Sequence, residues 1–487
     1  MSADTSQIDL QLGPMRDGRG TFVRGMSLVG AIALVVGNMV GTSMYTLPAS
    51  LAKEVGPLGI VAWLVTAIGY FGVAVVYADL GGRRPRTGGP YGFAQEAFGD
   101  FAGFISVWLY WISLLIGNAG IATGVVAYAQ GFFPVLETNP LARFAVAQAL
   151  LWIFCGVNVI GVRHSARLQI AIMVINLGGL FILLGGSLPA IDPSNYEPFA
   201  PKGWSSIGIG TALVVWAYGG VETATVPAEE VKQPHETIWR GTMIGYVIAT
   251  AIFLLMAIVV AGVLPNDQVA SSARPLAMVV EQAIGPRAAG ILSICALVAG
   301  IGTLNGWILV TGRAPISPAR DGLFFQRMAR LHPRFNTPVF ALVTGTAIAS
   351  AMLFLVLSNT LLDAFNFIVL LSVGAALAPH LITVAAYLAL VRRDPESFTK
   401  AQRRRAHIIA PLAFVAMMYF VWGAGPAAGR SGFLMLFAGA LAYVFLKKGP
   451  AIETPEKPVV DPLQIEFPIS FKVVTVVKTQ ETFSKPE

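Results

Sequence analysis

Along its length the chain alternates long apolar runs with short polar intervals, and the runs share one size. Twelve of them lie near residues 26–49, 57–81, 99–131, 142–161, 168–189, 206–227, 241–264, 287–312, 338–357, 363–391, 407–424 and 431–446. Each reaches the roughly 20 residues an α-helix needs to cross the hydrocarbon of a bilayer. The pattern predicts an all-α polytopic membrane protein with twelve transmembrane helices. Polar residues are scattered among short loops, so no separate soluble domain is expected. The organisation expected is a cytoplasmic N-terminal tail over 1–25, a membrane domain over 26–446, and a flexible cytoplasmic C-terminal tail over 447–487, rich in Pro, Lys and Glu. "FKVVTVV" in that tail has strand character, with no function assigned to it. The first apolar run is long, lacks a small-residue cleavage site and follows a polar segment, so no cleavable signal peptide is expected.

Composition agrees with the pattern: of 487 residues 55% are hydrophobic and 12% charged, with a mean hydropathy of +0.69. With nowhere for a catalytic domain to fold, the chain is not expected to be an enzyme. The net charge of +7 is a topology signal, not a nucleic-acid footprint. With the N-terminus inside, 27 of the 33 Lys and Arg residues fall on cytoplasmic segments and 6 on outer loops. That bias places both termini in the cytoplasm. Cys155 and Cys295 fall inside spans and read as small apolar residues. The five histidines show no metal-ligand spacing, so neither a metal nor a cofactor is expected.

Two spans are interrupted. Span 1 carries "GNMVGTS", with Gly37, Asn38, Gly41, Thr42 and Ser43. Span 6, five spans on, carries "WAYGGVETATVP", with Gly219, Gly220, Glu222 and Pro227. Unwound backbone inside hydrocarbon strands its N–H and C=O groups, so it survives only in a protein interior or beside a wet cavity. There, half-helix amides suit an anion and free carbonyls a cation. An α-amino acid presents both. Glycines that merely allow close packing are the plainer reading of span 1; the matching break in span 6 tips the balance to a site. The five-span offset is the spacing of an inverted five-plus-five repeat, about 26–189 and 206–391, leaving two accessory helices over 407–446.

Other polar residues at membrane depth have two readings each. Asn118 either meets a solute side chain or makes an interhelical hydrogen bond. Glu222, at a cost of about 2.5–3.5 kcal/mol for a mid-bilayer charge, binds a cationic group, carries a proton, or locks a helix. Trp216 and Trp307 pack, or form flat walls and a gate for a cation. His380 titrates or caps the Pro379 kink. Asp79 is expected to pair with the basic loop beside it. "GGRRPRTGGPYG" lacks the elements of a phosphate loop, which argues against nucleotide binding.

Together these stretches resemble a known family. "GNMVGTSMYTLPA", "WLVTAIG" with "GGPYGFAQEAFG", "YWISLLIGNAG", "WAYGGVETA…AEEVKQP", "NGWILVTG…ARDGLF" and "FNFIVLLSVGAALAP", in this order, are similar to the amino acid–polyamine–organocation transporters. Most similar are the bacterial basic amino acid/polyamine antiporters, such as the arginine/agmatine and putrescine/ornithine exchangers. The resemblance implies the LeuT-like fold with discontinuous helices 1 and 6, often a homodimer, and exchange by alternating access. It implies a substrate carboxylate at the Thr42 hydroxyl and Ser43 amide, near Asn38 and Gly41. The α-ammonium would lie at the carbonyls of Met39, Trp216 and Gly219. A side-chain pocket of Ser113, Leu114, Asn118, Trp307 and Ser372 is implied, with Trp216 as its lid. Tyr110, Glu222 and His380 would form a thicker gate.

Three departures bear on this. His380 stands where the arginine exchanger commonly has Tyr. Leu114 replaces a smaller residue, leaving less room for a guanidinium. Asn176 stands where proton-coupled relatives carry Lys, which argues against their coupling. The reading is therefore a multi-pass transporter of the cytoplasmic (inner) membrane for amino acids or related amines, most simply an exchanger. A proton-coupled permease of broader or neutral specificity and an amino-acid-binding transceptor without transport are the alternatives; a channel lacks any ring of like charges. The partners expected are the small solute, membrane lipid and a second copy of the chain, with no nucleic acid.

Overall fold

The computed structural model describes residues 25–354 and 361–446; of residues 162–169, 183 and 361–364 it describes the backbone alone. The expected tails, with "FKVVTVV", lie outside the described residues apart from Gly25.

Span 1 is two helices, α1 (Leu28–Met39) and α2 (Thr42–Glu54). Span 2 is α3 (Gly59–Arg83), followed by the short α4 (Pro90–Phe98). Span 3 is α5 (Asp100–Ala129), and α6 (Val135–Thr138) leads into span 4, α7 (Pro140–Ile160). Span 5 is α8 (Val162–Ser187). Span 6 holds α9 (Ile207–Tyr218) and then single 3-10 turns at Thr223–Thr225 and Ala228–Glu230. Span 7 is α10 (Pro234–Val263), and the outer-loop helices are α11 (Asn266–Ser271) and α12 (Pro275–Ala283). Span 8 is α13 (Pro286–Arg313), followed by α14 (Ile316–Arg320). The bundle closes with α15 (Val339–Met352), α16 (Leu361–Arg393), α17 (Lys400–Gly423) and α18 (Gly425–Leu446).

Eleven of these spans are long and apolar enough to cross a membrane. The segment expected as span 9 appears as the shorter α15, and the rest of that run reaches residues 355–360, outside the described set. No named strand occurs among the described residues; one isolated parallel bridge joins Met26 to Val231.

Helix contacts recur with an offset of five spans. The helix α1 packs on α10 as α9 packs on α3, and α8 packs on α13 as α16 packs on α5. Likewise α5 meets α7 as α13 meets α15. Lipid-facing helices expose large apolar side chains, such as Phe433, Phe437 and Phe445 of α18, while the broken spans 1 and 6 are largely buried.

Candidate functional site

The break in span 1 begins where α1 ends. Val40 leaves the helical region (φ −88°, ψ 65°) and Gly41 (φ −120°, ψ −136°) opens α2 without a side-chain cap. A helix end leaves its last carbonyls without internal partners. Four consecutive carbonyls here each accept from a side chain. Thr303 Oγ1 donates to Gly37 (2.8 Å) and Trp307 Nε1 to Asn38 (3.3 Å). Ser43 Oγ donates to Met39 (2.9 Å) and Asn176 Nδ2 to Val40 (2.8 Å). Asn176 is itself held by the Tyr45 hydroxyl at 2.5 Å. Gly41 is required by proximity: a Cβ there would overlap the Thr303 hydroxyl and lie 2.6 Å from its Cβ.

The break in span 6 has a different device. Gly219 ends α9, and Gly220 takes φ +117°, a region L side chains rarely adopt. The Gly220 amide would return to the Trp216 carbonyl in a continuing helix; it donates instead to Glu222 Oε2 (3.1 Å). The other carboxylate oxygen accepts from Tyr110 OH at 2.9 Å. Glu222 is 1% exposed, and no ion pair of the described residues includes it. Thr223 and Thr225 hydroxyls cap the carbonyls of Gly220 (2.5 Å) and Glu222 (2.7 Å). The sequence thus supplies the break's own donors within six residues.

Beside it lies a cavity of about 500 Å³, open mouth included, between α3, α5, α9, α13 and α16. Ten of the residues singled out in the sequence line it: Tyr110, Ser113, Leu114, Asn118, Trp216, Gly219, Glu222, Trp307, Ser372 and His380. Trp216 and Trp307 are half-buried walls. Asn38, Met39, Gly41, Thr42 and Ser43 stand outside the lining, at the span 1 break. The Trp307–Asn38 bond joins the two places, and the Thr42 side chain packs near Gly124 and Gly300.

The lining also contains Tyr70, Gly117, Ile121, Val215, Val373 and Ala376. Helical period could have found most of these, since 110, 113, 114, 117, 118 and 121 form one face of α5 and 372, 373, 376 and 380 one face of α16. Tyr70 carried no such signal. Phe365, also unforeseen, packs on Trp216 with ring centroids 5.2 Å apart.

His380 Nδ1 pairs with Tyr77 OH at 3.0 Å, and the Thr383 hydroxyl donates to the Pro379 carbonyl at 2.8 Å. Asp79 pairs with Arg405 of α17 (2.7 Å), with Tyr387 and Trp239 as further donors, and not with the adjacent basic loop. No cluster able to hold a metal occurs among the described residues.

A family model described as amino acid permease matches residues 26–446. A Bacillus subtilis (strain 168) protein, provisionally named an arginine/ornithine antiporter, is 30% identical over 85% of this chain and 95% of its own length. The putrescine transporter PotE of Escherichia coli (strain K12) is 27% identical over 86% of this chain and 95% of its own. The cadaverine/lysine antiporter of the same strain is 31% identical over 61% of this chain and 68% of its own. A buried polar cavity flanked by two interrupted spans, inside a bundle of apolar helices that this family model covers almost from end to end, leaves one assignment: the chain is a multi-pass integral membrane protein of the amino acid permease family.

Proposed function

We propose that this protein is a secondary transporter of amino acids or related amines that works as an exchanger. The observation that carries the proposal is the single carboxylate of the cavity lining, Glu222, held by neutral donors alone. A buried charge without a counter-charge is costly, and the cost is greatest when the site is closed off from water. A cationic solute supplies the missing charge. The loaded carrier therefore crosses between its two faces more easily than the empty one, and net movement becomes exchange. The similar proteins named as arginine/ornithine and cadaverine/lysine antiporters support this reading.

The solute's α-amino and carboxylate groups are assigned to the interruptions. The uncapped start of α2, with Thr42 and Ser43, faces the carboxylate. The carbonyls of Met39, Trp216 and Gly219 face the ammonium, and Asn118, Ser113, Leu114, Trp307 and Ser372 face the side chain. Trp216 covers the solute, and Tyr110, Glu222 and His380 close one side. The five-span recurrence of helix contacts supports a twelve-span, LeuT-like pair of inverted repeats that rock about the site. The distribution of Lys and Arg supports an inner-membrane protein with both termini in the cytoplasm.

The test is reconstitution of the full chain into proteoliposomes. Uptake of labelled ornithine, putrescine or lysine should require one of these solutes inside the vesicle and ignore an imposed pH gradient. Uptake into empty vesicles driven by that gradient would replace the exchanger with a proton-coupled permease. Ligand binding without any flux would replace it with a receptor.

A further inference from the structure

The polar groups of the cavity have directions as well as positions, because most of their protons are already committed. Ser113 Oγ donates to the Tyr110 carbonyl (2.6 Å), and Ser372 Oγ donates to the Ser113 carbonyl (2.9 Å). Tyr110 OH donates to Glu222 and Trp307 Nε1 to Asn38. What the Ser113, Ser372 and Tyr110 oxygens can still offer a solute is acceptor capacity, and the Trp307 indole, a donor only, has none left to give. The Asn118 amide carries both a donor and an acceptor of comparable strength, so its orientation decides what this part of the wall presents.

That orientation is set from outside the cavity. Thr311, which does not line it, donates its hydroxyl proton to the Trp307 carbonyl one turn back on α13 (2.8 Å). Its oxygen can then only accept, and Asn118 Nδ2 donates to it at 2.9 Å. Asn118 is 2% exposed and its Oδ1 has no partner. A buried, unpaired carbonyl oxygen is an unmet acceptor whose desolvation a ligand's N–H can offset.

We infer that Thr311 is a positioning residue for solute selection: by holding the Asn118 amide in one orientation, it makes the side-chain end of the cavity accept hydrogen bonds and favour solutes whose far end donates them. This rests on the transport reading above. Valine is nearly isosteric with threonine but cannot accept, so Thr311→Val frees the Asn118 amide to turn its N–H₂ inward.

The experiment compares ornithine with norleucine, which share length and head group but end in an ammonium and a methyl. Inhibition of labelled ornithine exchange and thermal stabilisation of the purified full chain are read for both. The wild type should prefer ornithine. Thr311→Ser should keep that preference, and Thr311→Val or Thr311→Ala should reduce it roughly tenfold, the effect of one lost hydrogen bond to a charged group, with norleucine binding little changed. Thr311→Val/Asn118→Asp, whose carboxylate accepts in either orientation, should regain it. An unchanged ratio in both Thr311→Val and Thr311→Ala, or an equal loss for both ligands, would overturn the role of Thr311 while leaving transport intact. A wild type that neither exchanges nor is stabilised by ornithine would overturn the transport reading and this one with it.

Discussion

A carboxylate buried at mid-span needs compensation, and Glu222 receives it from Tyr110 and from the Gly220 amide. The same group therefore braces the break in span 6 and offers a charge to the cavity. Glu222→Gln keeps the shape and most of the hydrogen bonding while removing the charge. Exchange of cationic solutes should fall while the yield of folded protein stays unchanged. Rates of ornithine exchange in proteoliposomes check this; a mutant with the wild-type rate would leave Glu222 as a brace alone. Trp216→Ala removes a wall and its contact with Phe365. Exchange should drop more than tenfold, about the worth of a desolvated cation over an indole, at an unchanged yield of folded protein. Residues such as these were legible because polarity or size at membrane depth is conspicuous. Tyr70 was not: its place depends on α3 meeting α16, a contact no local pattern encodes. The Arg405 partner of Asp79 lies 326 residues along the chain, so the nearby basic loop was the natural but incorrect expectation.

At the scale of elements, both interruptions were legible, and so were the local donors of the second; most supports of the first were not. "GNMVGTS" and "WAYGGVETATVP" announce weak helices, but beside Ser43 of the stretch itself the donors that hold the first come from α8 and α13, through Asn176, Thr303 and Trp307. The sequence marked Asn176 only for the lysine it replaces; its bond to Val40 is a tertiary fact. These supports require α13 to run close against the break, and Gly41 permits that approach. Gly41→Ala should cost about 1–3 kcal/mol as an overpacked contact, read as a lower thermal midpoint and weaker stabilisation by ornithine. Gly178→Ala on α8, where a Cβ meets nothing within 4 Å, should leave both near wild type. If Gly41→Ala melted with the wild type, the close approach would not be what fixes the break.

For the molecule as a whole, the proposed exchange requires that each face be shut in turn, and the face carrying Gly25 gathers ion pairs and backbone bonds that could hold it shut. Arg313 and Glu230 form a buried pair at 2.7 Å with side chains 0% and 2% exposed. Arg320 pairs with Glu229 (3.1 Å), Arg84 with Asp394 (2.8 Å), and Asp321 receives both Arg86 and Tyr91. Burial first, and then the Asp321 carboxylate, push the Tyr91 phenol well above its ordinary range, so it stays a donor. The amides of Gly25 and Met26 donate to the Glu230 carbonyl (2.9 and 3.0 Å), and Lys232 donates back to Met26 (2.8 Å). One residue thus joins the entry to α1, the extension of α9 and the end of α13. Breaking a buried pair by removing one partner costs about 3–5 kcal/mol because the other charge is stranded, and Arg313 Nη2 already lacks a partner. That cost falls only on the form in which this face is closed. Glu230→Gln should therefore shift the population towards opening here, and the amides of Gly25, Met26 and Lys232 should exchange with solvent faster by a factor of about 10² or more. Glu230→Leu/Arg313→Met, which strands no charge, should recover much of the protection. Unaltered amide exchange in Glu230→Gln would mean that the pair does not hold this face shut, and that the closure resides in the surrounding helix packing instead.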